Sequence, residues 1–374
     1  MRRFSPVFIC WCILWFLLSG CSGNQGRWVT VYNMSTLDRE DEVVEISLQT
    51  ADRDVKEPFV VKDEEGREIP SQLTHDGKII FPVSLKAKAK AAYQIVNGIP
   101  AAYEPIAQGR QYPERLDDMA WENDRIAFRA YGPALQASGE RAFGYDILVK
   151  RVDKPVLENR YALNKKNVSY HVDHGDGLDY YSVGPTLGGG ASALLEGDSI
   201  LFPYCYSSFE VLDNGPLRFT VSLTYPPRVI GSDSAVVEKR LVTLDAGSQL
   251  NKVVVSYEGL TEARKIGTGI VLHQPSELCL VDEPEGIMGY ADPEDDVNGR
   301  TFIGVVFPGS IETIGIRSGH LMGVRTYEPA MESTYYFGAG WSKWGFLTMD
   351  DWSLYLRQFS RKLADPLLVM IESS

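Results

Sequence analysis

The chain has 374 residues, and 50 acidic against 37 basic side chains give it a formal net charge of −13. A surface this negative repels phosphate backbones, so nucleic acid is not an expected partner. The length is sufficient for two domains of ordinary size.

The first twenty-one residues have the pattern of a secretory signal peptide. Two arginines at positions 2 and 3 precede an apolar run over 7–18, and Leu-Ser-Gly-Cys at 18–21 closes the segment. This ending resembles a bacterial lipobox, which implies removal of residues 1–20 and lipid on Cys21. A transmembrane anchor is the alternative, but spanning a bilayer takes about 20 apolar residues. We expect a lipid-anchored protein outside the cytoplasm, either facing the periplasm or on the outer membrane.

Residues 21–26 predict a short flexible tether, because glycine and small polar side chains offer no surface to pack. From 27 to 100, short apolar runs alternate with turns rich in Gly and Asp. That spacing indicates a small β-sandwich. The proline-containing polar stretch 101–115 predicts a linker.

The second domain is predicted over 116–374, and its strand signals begin at Trp121. The clearest is 217–225 (LRFTVSLTY), in which apolar and polar residues alternate. Alternation implies one buried and one polar face, as in antiparallel sheets, and a long series of such strands needs two stacked sheets or a barrel. One helix is predicted over 349–364, with Thr348 as its N-cap. The predicted fold class is mostly β with one C-terminal helix.

The densest group of ionisable residues is 170–181 (YHVDHGDGLDYY). Its glycines permit a tight turn that presents carboxylates, as in binding loops on β scaffolds. The candidate catalytic residues are therefore His171, Asp173, His174, Asp176, Asp179 and Tyr180.

Three chemistries are open to this segment. His171 can act as a general acid or base oriented by Asp173. Two of Asp173, Asp176 and Asp179 can form the acid/base pair of a glycosidase. His171, Asp173 and His174 can help to hold a divalent cation, the one cofactor that we leave open. The alternative is a structural turn whose carboxylates bind backbone amides.

Aromatic side chains supply candidate sugar contacts. The segment 335–344 (YYFGAGWSKW) places tyrosine and tryptophan beside glycines, and such rings offer an apolar face with a polar tip. An ordinary core strand is the alternative. The candidate substrate-binding residues are Arg141, Tyr181, His273, Tyr336, Trp341 and Trp344. His75 lies in a predicted loop and receives no role.

Several functional classes are not indicated. The chain has no GxSxG elbow, P-loop, strand-linked GxGxxG or HExxH. Cys205 and Cys279 are the cysteines that follow Cys21, and their spacing fits neither a zinc site nor a redox pair. A disulfide between them and two separate thiols both remain open.

The segments 121–133 (WENDRIAFRAYGP), 144–151 (GYDILVKR) and 170–181, together with Gly340-Trp341 and the terminal helix, resemble domain-of-unknown-function family 4861. The resemblance covers nearly the whole chain after the signal peptide. It implies a secreted protein of glycan-degrading bacteria, without assigned catalytic residues.

A second resemblance concerns architecture. Residues 214–218 (NGPLR) and 244–250 (LDAGSQL) are similar to the supersandwich of galactose-mutarotase-like proteins. Residues 63–73 (DEEGREIPSQL) are similar to the small β domain of some exo-acting rhamnogalacturonan lyases. These likenesses imply a large antiparallel supersandwich over 116–374 with a carbohydrate ligand on its concave sheet.

The expected function is action on oligosaccharides from complex glycans, among them pectic, uronate-containing ones. The reaction is β-elimination or glycoside hydrolysis. The alternative is a non-catalytic glycan-binding lipoprotein.

Overall fold

The computed structural model describes residues 26–47, 57–275 and 278–371. The predicted signal peptide and Cys21 lie outside the described residues, as does the tether up to residue 25. All named strand pairs are antiparallel, and helices are few, which confirms the predicted mostly-β fold class.

The strands, in chain order, are β1 (Arg27–Tyr32), β2 (Arg39–Ser47), β3 (Phe59–Lys62), β4 (Glu68–Ile69), β5 (Gln72–Leu73), β6 (Lys78–Leu85), β7 (Lys90–Asn97), β8 (Gln108–Tyr112), β9 (Asp118–Glu122), β10 (Ile126–Ala130), β11 (Tyr145–Lys150), β12 (Gly177–Asp179), β13 (Gly189–Glu196), β14 (Ser199–Leu201), β15 (Ser208–Asn214), β16 (Arg218–Thr224), β17 (Arg228–Ile230), β18 (Asp233–Asp245), β19 (Leu250–Glu258), β20 (Arg264–Val271), β21 (Cys279–Asp282), β22 (Ile287–Ala291), β23 (Thr301–Val306), β24 (Thr313–Arg317), β25 (His320–Tyr327), β26 (Ser333–Trp341) and β27 (Leu368–Ile371). The helices are α1 (Pro133–Ala137), α2 (Leu157–Asn164) and α3 (Met349–Ala364), with a 3-10 turn at Pro113–Arg115.

Two small sheets face each other at the N-terminal end. One has the order β27-β1-β7-β3-β4 and the other β2-β6-β5. Their inner sides form a separate core around Val31, Phe81 and Ile95. Strands β1 to β7, together with β27, thus pack as two layers.

The last strand of the chain belongs to this N-terminal sheet. β27 pairs with β1, with Ile371 opposite Val29. Alternate residues of the segment, Leu367, Val369 and Ile371, pack against the N-terminal core. We predicted that residues 116–374 form the larger sandwich, but their last strand lies outside it. The predicted linker 101–115 also contains β8, and the exact domain boundaries stay a prediction.

The larger sandwich has one broad sheet opposed by two narrower ones. The broad sheet has the order β15-β16-β18-β19-β26-β23-β22-β21, with β17 paired to β18. The opposing sheets are β12-β11-β10-β9-β8 and β14-β13-β20-β25-β24. A bridge from Tyr145 to Gly188 joins the two opposing sheets at their adjoining edges.

Aromatic side chains fill the space between these layers. Trp121 stacks with Phe219 and with Phe128, and the ring of Phe337 stacks on Tyr145 at 4.3 Å between centroids. The indole nitrogen of Trp121 donates to Asn251 Oδ1 at 2.7 Å, which satisfies its polar atom in the core. The inner face of the broad sheet is consequently sealed, and its outer face remains for other elements.

The predicted C-terminal helix is present as α3. Thr348 accepts from the backbone N–H of Asp351, whose side chain accepts from the Thr348 backbone, so the capping box is complete. Trp352 and Leu356 are buried with Leu250 and Phe302 on the outer face of the broad sheet. Helix α3 therefore covers one part of this outer face, and the N-terminal sheets approach another. In the described residues, no helix has the length and apolarity needed to cross a membrane.

Candidate functional site

We call residues 170–181 the Asp/Gly turn. Asp173 holds it together: its Oδ1 accepts from the backbone N–H groups of Gly175 at 2.8 Å and Gly177 at 2.9 Å. Its Oδ2 accepts from Arg151 at 3.0 Å. Burial opposes ionisation of Asp173, but these hydrogen bonds prevail and lower the pKa of its carboxyl. The oxygens of Asp173 are thus occupied in fixing the local backbone.

A hollow of about 470 Å³ lies between this turn and helix α2. His174 and Asp176 line it, together with Asn159 and Arg160. His174 Nε2 lies 3.0 Å from the Ser169 carbonyl oxygen, and Asp176 lies 3.4 Å from Arg160. We call this cavity the turn hollow. It contains two of the six predicted catalytic residues, but none of the predicted aromatic contacts.

Asp179 is buried among other charges on the covered face of the β8–β12 sheet. Its Oδ2 lies 3.0 Å from Arg129 Nη2, which also bonds Asp146. Tyr131 donates to Asp146 at 2.9 Å, and Asp118 Oδ2 lies 3.7 Å from Arg129. Burial and the neighbouring Asp146 raise the pKa of Asp179 to about 6. Asp179 therefore belongs to a buried cluster of charged side chains and does not line the turn hollow.

His171 is one of several exposed residues of the turn, with 58% of its side chain accessible. Its Nδ1 lies 2.7 Å from the backbone carbonyl oxygen of Asp179 and 3.9 Å from the Asp179 carboxylate. The carbonyl fixes the ring orientation, whereas the more distant Asp179 carboxylate is held by Arg129. The predicted pairing of His171 with Asp173 is not present, because Asp173 bonds to the glycines and Arg151.

Tyr180 and Tyr181 end the turn, and the ring of Tyr181 packs edge-on against His273 at 5.3 Å between centroids. Tyr180 accepts from Thr301 at 2.8 Å, and burial raises its pKa to about 12. His273 Nδ1 lies 2.7 Å from Asp292, and its Nε2 lies 2.6 Å from the Ser182 carbonyl oxygen. Both partners are acceptors, and the bond to Asp292 raises the pKa of His273. Both ring nitrogens of His273 therefore contact protein atoms, and neither is directed at a ligand.

A larger cavity of about 780 Å³ lies where three parts of the molecule meet. We call it the interface cleft. One wall is the β2-β6-β5 sheet, the floor is the outer face of the broad sheet, and the other wall is helix α3. Its principal lining residues are Glu40, Glu42, Glu45, His75, Asp76, Lys78, Arg125, Arg218, Thr220, Thr243, Asp245, Lys252, Tyr336, Trp344, Phe346, Tyr355, Phe359 and Lys362.

A single row of polar groups crosses the floor of the interface cleft. The strand registers place Asp213 opposite Thr220, Thr220 opposite Thr243, Thr243 opposite Lys252, and Lys252 opposite Tyr336. Directly opposed residues in an antiparallel sheet lie on one face, with strands about 4.8 Å apart. The row therefore extends roughly 19 Å from a carboxylate to an aromatic ring.

His75 stands at the carboxylate end of this row. Its Nδ1 lies 2.8 Å from Asp213 Oδ2, and its backbone N–H donates to Asp213 Oδ1 at 2.7 Å. The Asp213 side chain is only 2% exposed, whereas His75 is 31% exposed and lines the cleft. Because a carboxylate only accepts, Nδ1 carries the proton. Nε2 makes no hydrogen bond within the described residues, and the buried carboxylate fixes its orientation.

Ion pairs and side-chain hydrogen bonds fix the cleft wall that carries His75. Arg218 forms a two-pronged pair with Asp245, at 2.6 and 2.8 Å, and reaches Glu45 of β2 at 2.7 Å. The side chain of Gln72 accepts from the backbone N–H of Leu217 at 2.8 Å and donates to the Arg218 carbonyl at 3.1 Å. These contacts lock the N-terminal sheets onto the broad sheet, so the cleft is largely preformed.

Two of the predicted aromatic contacts line the interface cleft, and the others do not. Tyr336 lies on the floor, and Trp344, which is 42% exposed, lies at the margin. Trp341 is 2% exposed and donates to the Asn298 carbonyl, so its ring is not accessible to a ligand. Arg141 is exposed and lines neither cavity. The structure thus separates Tyr336 and Trp344 from the Asp/Gly turn.

Metal and sulfur chemistry were the other possibilities that the sequence left open. Within residues 26–47, 57–275 and 278–371, no group of three or more His, Cys, Asp or Glu is arranged to hold a metal ion. Cys205 is buried, and its thiol donates to the Ala142 carbonyl at 3.6 Å. In the described chain it forms no disulfide with Cys279.

Sequence reasoning missed the residues that build the interface cleft. His75 and Asp213 are 138 positions apart, so no local pattern connects them. The alternation over 217–225 does place Thr220 on an outward face, but it does not reveal that the N-terminal sheets roof that face. The sequence signal that was available for this cleft is the set of polar residues on the outward face of that strand.

Known proteins resemble this chain in sequence and in fold. Residues 31–369 match the family described as Domain of unknown function (DUF4861). The chain is 27% identical over 387 residues to "Uncharacterized protein P7" of Formosa agariphila, with 95% of this chain and 96% of that protein covered.

Two solved structures from Enterococcus faecalis have a similar fold. One is a protein in the Glycosyl Hydrolase Family 38, with a TM-score of 0.51, 8% identity and coverage of 93% of this chain but 47% of that one. The other is an alpha-mannosidase, with a TM-score of 0.50, 8% identity and coverage of 93% and 46%. This chain thus spans about half the length of those proteins, and at such identity the likeness concerns the fold alone. The match over residues 31–369 shows that the chain belongs to the DUF4861 family.

Proposed function

We propose that this chain is a carbohydrate-active protein that binds an oligosaccharide in the interface cleft. The observation that carries the proposal is the row on the cleft floor, which runs from His75 held by Asp213 to the rings of Tyr336 and Trp344. Aromatic faces next to hydroxyl and charged groups suit a sugar, which has apolar ring faces and a polar rim. The fold shared with glycoside hydrolase structures agrees with this proposal.

The dimensions of the cleft suit a short oligosaccharide. A volume of about 780 Å³ is within the range of small-molecule sites, which often lie between structural units. Helix α3 supports the aromatic end, because Phe359 contacts Tyr336 with ring centroids 5.1 Å apart. The ligand therefore meets a rigid platform at one end and an ionisable group at the other.

The chemistry we propose is proton transfer by His75. The Asp213 carboxylate accepts from Nδ1 and so fixes the tautomer, leaving Nε2 for a substrate proton. Proton transfer of this kind is typically worth about 10²–10⁴-fold in rate. It serves β-elimination, in which it removes a proton beside a uronate carboxylate, and hydrolysis, in which it activates water. Analysis of the products identifies the sugar and distinguishes the two reactions.

The test is incubation of the protein with a panel of pectic and neutral oligosaccharides. New ultraviolet absorbance from a C=C bond identifies elimination, and new reducing ends without absorbance identify hydrolysis. Retention on the glycan without product identifies a non-catalytic binder that uses the same cleft. Absence of both binding and product across the panel would refute the proposal.

Matched tryptophan variants locate the binding surface. Trp344→Ala and Tyr336→Ala should weaken retention, because they remove the aromatic end of the cleft. Trp28 is similarly exposed, at 39% against 42% for Trp344, but does not line the cleft, so Trp28→Ala is the control. Equal losses for Trp28→Ala and Trp344→Ala would point to a surface elsewhere.

A second location for the same activity is favoured by one observation, the exposed imidazole of His171 beside the turn hollow. If the turn carries the chemistry, His171→Ala abolishes product while retention through Tyr336 and Trp344 persists. The interface cleft is preferred because a buried carboxylate orients His75, whereas a backbone carbonyl holds His171.

The compartment is a separate proposal, which rests on the sequence of residues 1–21. We propose that the protein is lipidated on Cys21 and exported. Mass spectrometry of the membrane fraction should find acyl chains on the mature N-terminus, and Cys21→Ala should release the protein from that fraction. An unmodified N-terminus in the membrane fraction would contradict it.

A further inference from the structure

The positive charges of the interface cleft are unevenly compensated. Five lysine and arginine side chains line it, and four of them lie beside carboxylates. These four cations form six ion pairs at distances of 2.6–3.5 Å: Lys78 with Glu45 and Asp76, Arg125 with Asp124, Arg218 with Glu45 and Asp245, and Lys362 with Glu42. Their charges are already balanced by the protein.

Lys252 is the fifth, and among the described residues it forms no ion pair. Its position on β19 is exposed and faces the cleft. Its neighbours in the row are Thr243 on one side and Tyr336 on the other. The hydroxyl of Thr243 in turn lies 3.4 Å from that of Thr220. Lys252 thus supplies an uncompensated positive charge next to the hydroxyl of Thr243, and the buried Thr220 lies one strand further along the row.

We propose that Lys252 and Thr243, with the Thr220 hydroxyl behind Thr243, bind an acidic substituent of the sugar, either the carboxylate of a uronic acid or a sulfate ester. This inference rests on the proposed function, and it narrows the substrate from oligosaccharides in general to acidic ones. Charge-assisted hydrogen bonds are roughly twice as strong as neutral ones, so one such contact changes affinity measurably.

The rest of the cleft restricts where an acidic group is accepted. The lining carboxylates Glu42, Asp76 and Asp245 are paired with lining cations, so those positions offer an anion no net positive charge. Glu40, which forms no ion pair among the described residues, repels an anion placed near it. The acidic sugar is therefore expected in the middle of the row, between the His75 end and the aromatic end.

The experiment compares one oligosaccharide in two forms. A uronic acid oligosaccharide and its carboxyl-reduced counterpart are titrated against the full chain by calorimetry, and a sulfated neutral oligosaccharide distinguishes the two anion sources. The wild-type protein should bind the acidic form roughly tenfold more tightly than the reduced form. A preference for the sulfated form alone identifies the ester as the ligand.

Lys252→Gln should reduce the ratio of the two affinities to about one, and Lys252→Arg should largely restore it. Lys239 lies on β18, on the same face of the sheet as Lys252, but it pairs with Glu258. Lys239→Gln is therefore the matched control and should leave the ratio of the two affinities as in the wild type. A ratio that is unaltered in Lys252→Gln would overturn the inference. If the reduced form binds well and Trp344→Ala weakens it while no acidic preference exists, the inference fails and the proposed function stands. No binding of any form refutes both.

Discussion

The interface cleft and the Asp/Gly turn both hold a histidine near an aspartate, but they hold it differently. In the cleft, a buried carboxylate contacts His75 from another sheet, and the second ring nitrogen is left for a ligand. In the turn, Asp173 bonds glycine amides and His171 bonds a backbone carbonyl. Ionisable residues that are close together in sequence therefore hold a loop here, whereas tertiary structure assembles the better-oriented pair.

The largest expected effect concerns the charge cluster below the turn. Arg129→Met leaves Asp118, Asp146 and Asp179 buried without their guanidinium partner, and removing one partner of a buried pair costs about 3–5 kcal/mol. Urea unfolding followed by circular dichroism measures the loss. Arg151→Met is the control, because Arg151 pairs with Asp173 at the surface, where such pairs contribute about 0–1 kcal/mol. Similar losses of unfolding free energy in both variants would mean that Arg129 does not hold Asp179 in a buried ion pair.

The next effect tests the turn itself through two glycines. Gly177 has φ of +100°, and a Cβ there would lie 2.1 Å from the Val149 carbonyl oxygen. Gly175 has φ of +102° but no atom within 4 Å of such a Cβ. Gly175→Ala should therefore cost the ~1–3 kcal/mol of a strained backbone, and Gly177→Ala should cost more. Equal unfolding free energies for the two variants would contradict a turn fixed against β11.

A third prediction uses pH, since burial raises the pKa of Asp118 to about 7 and that of Asp179 to about 6. The folded state then holds protons that the unfolded state has released, so these groups favour folding at low pH. Their contribution is full below about pH 4 and is lost as the pH rises towards 7. Asp118→Asn should flatten that part of the curve of unfolding free energy against pH. If these groups instead raised the unfolding free energy of the wild-type protein as the pH increases through this window, the prediction would be contradicted.

The smallest effect concerns the helix that forms the second wall of the cleft. Thr348→Ala removes the N-cap of α3 and should cost about 1 kcal/mol in a thermal or urea melt. Ser353 bonds back to the Met349 carbonyl within the same helix without a capping role, so Ser353→Ala should cost less. A larger loss at Ser353 would show that the cap is not what fixes the helix start.

Local features of the fold were predictable from the sequence, because they depend on neighbouring residues. The capping box around Thr348 and Asp351 spans three positions, and the alternation over 217–225 correctly separates buried Phe219 and Val221 from outward Thr224. The pairing of β27 with β1 was not predictable, since it joins the two ends of the described chain. Short apolar strands carry no information about which sheet they will enter.

The candidate site was less predictable than the fold, for two physical reasons. Asp179 looked available for catalysis, but α2 and the turn cover the polar face of its sheet, and Arg129 from β10 neutralises it. Tyr336 was identified from its aromatic segment, yet Lys252 and Thr243 beside it became visible only through strand register. Which polar sheet face is covered and which is open depends on docking between distant segments.

We propose that the activity lies in the interface cleft rather than in the Asp/Gly turn, and two histidine variants distinguish these locations. The quantity to measure is the initial rate of product formation from an acidic oligosaccharide for His75→Ala and His171→Ala, with both variants confirmed as folded by circular dichroism. We expect a loss of about 10²–10⁴-fold for His75→Ala and a change within a few-fold for His171→Ala. A normal rate in His75→Ala together with a collapse in His171→Ala would place the chemistry in the turn and refute the cleft.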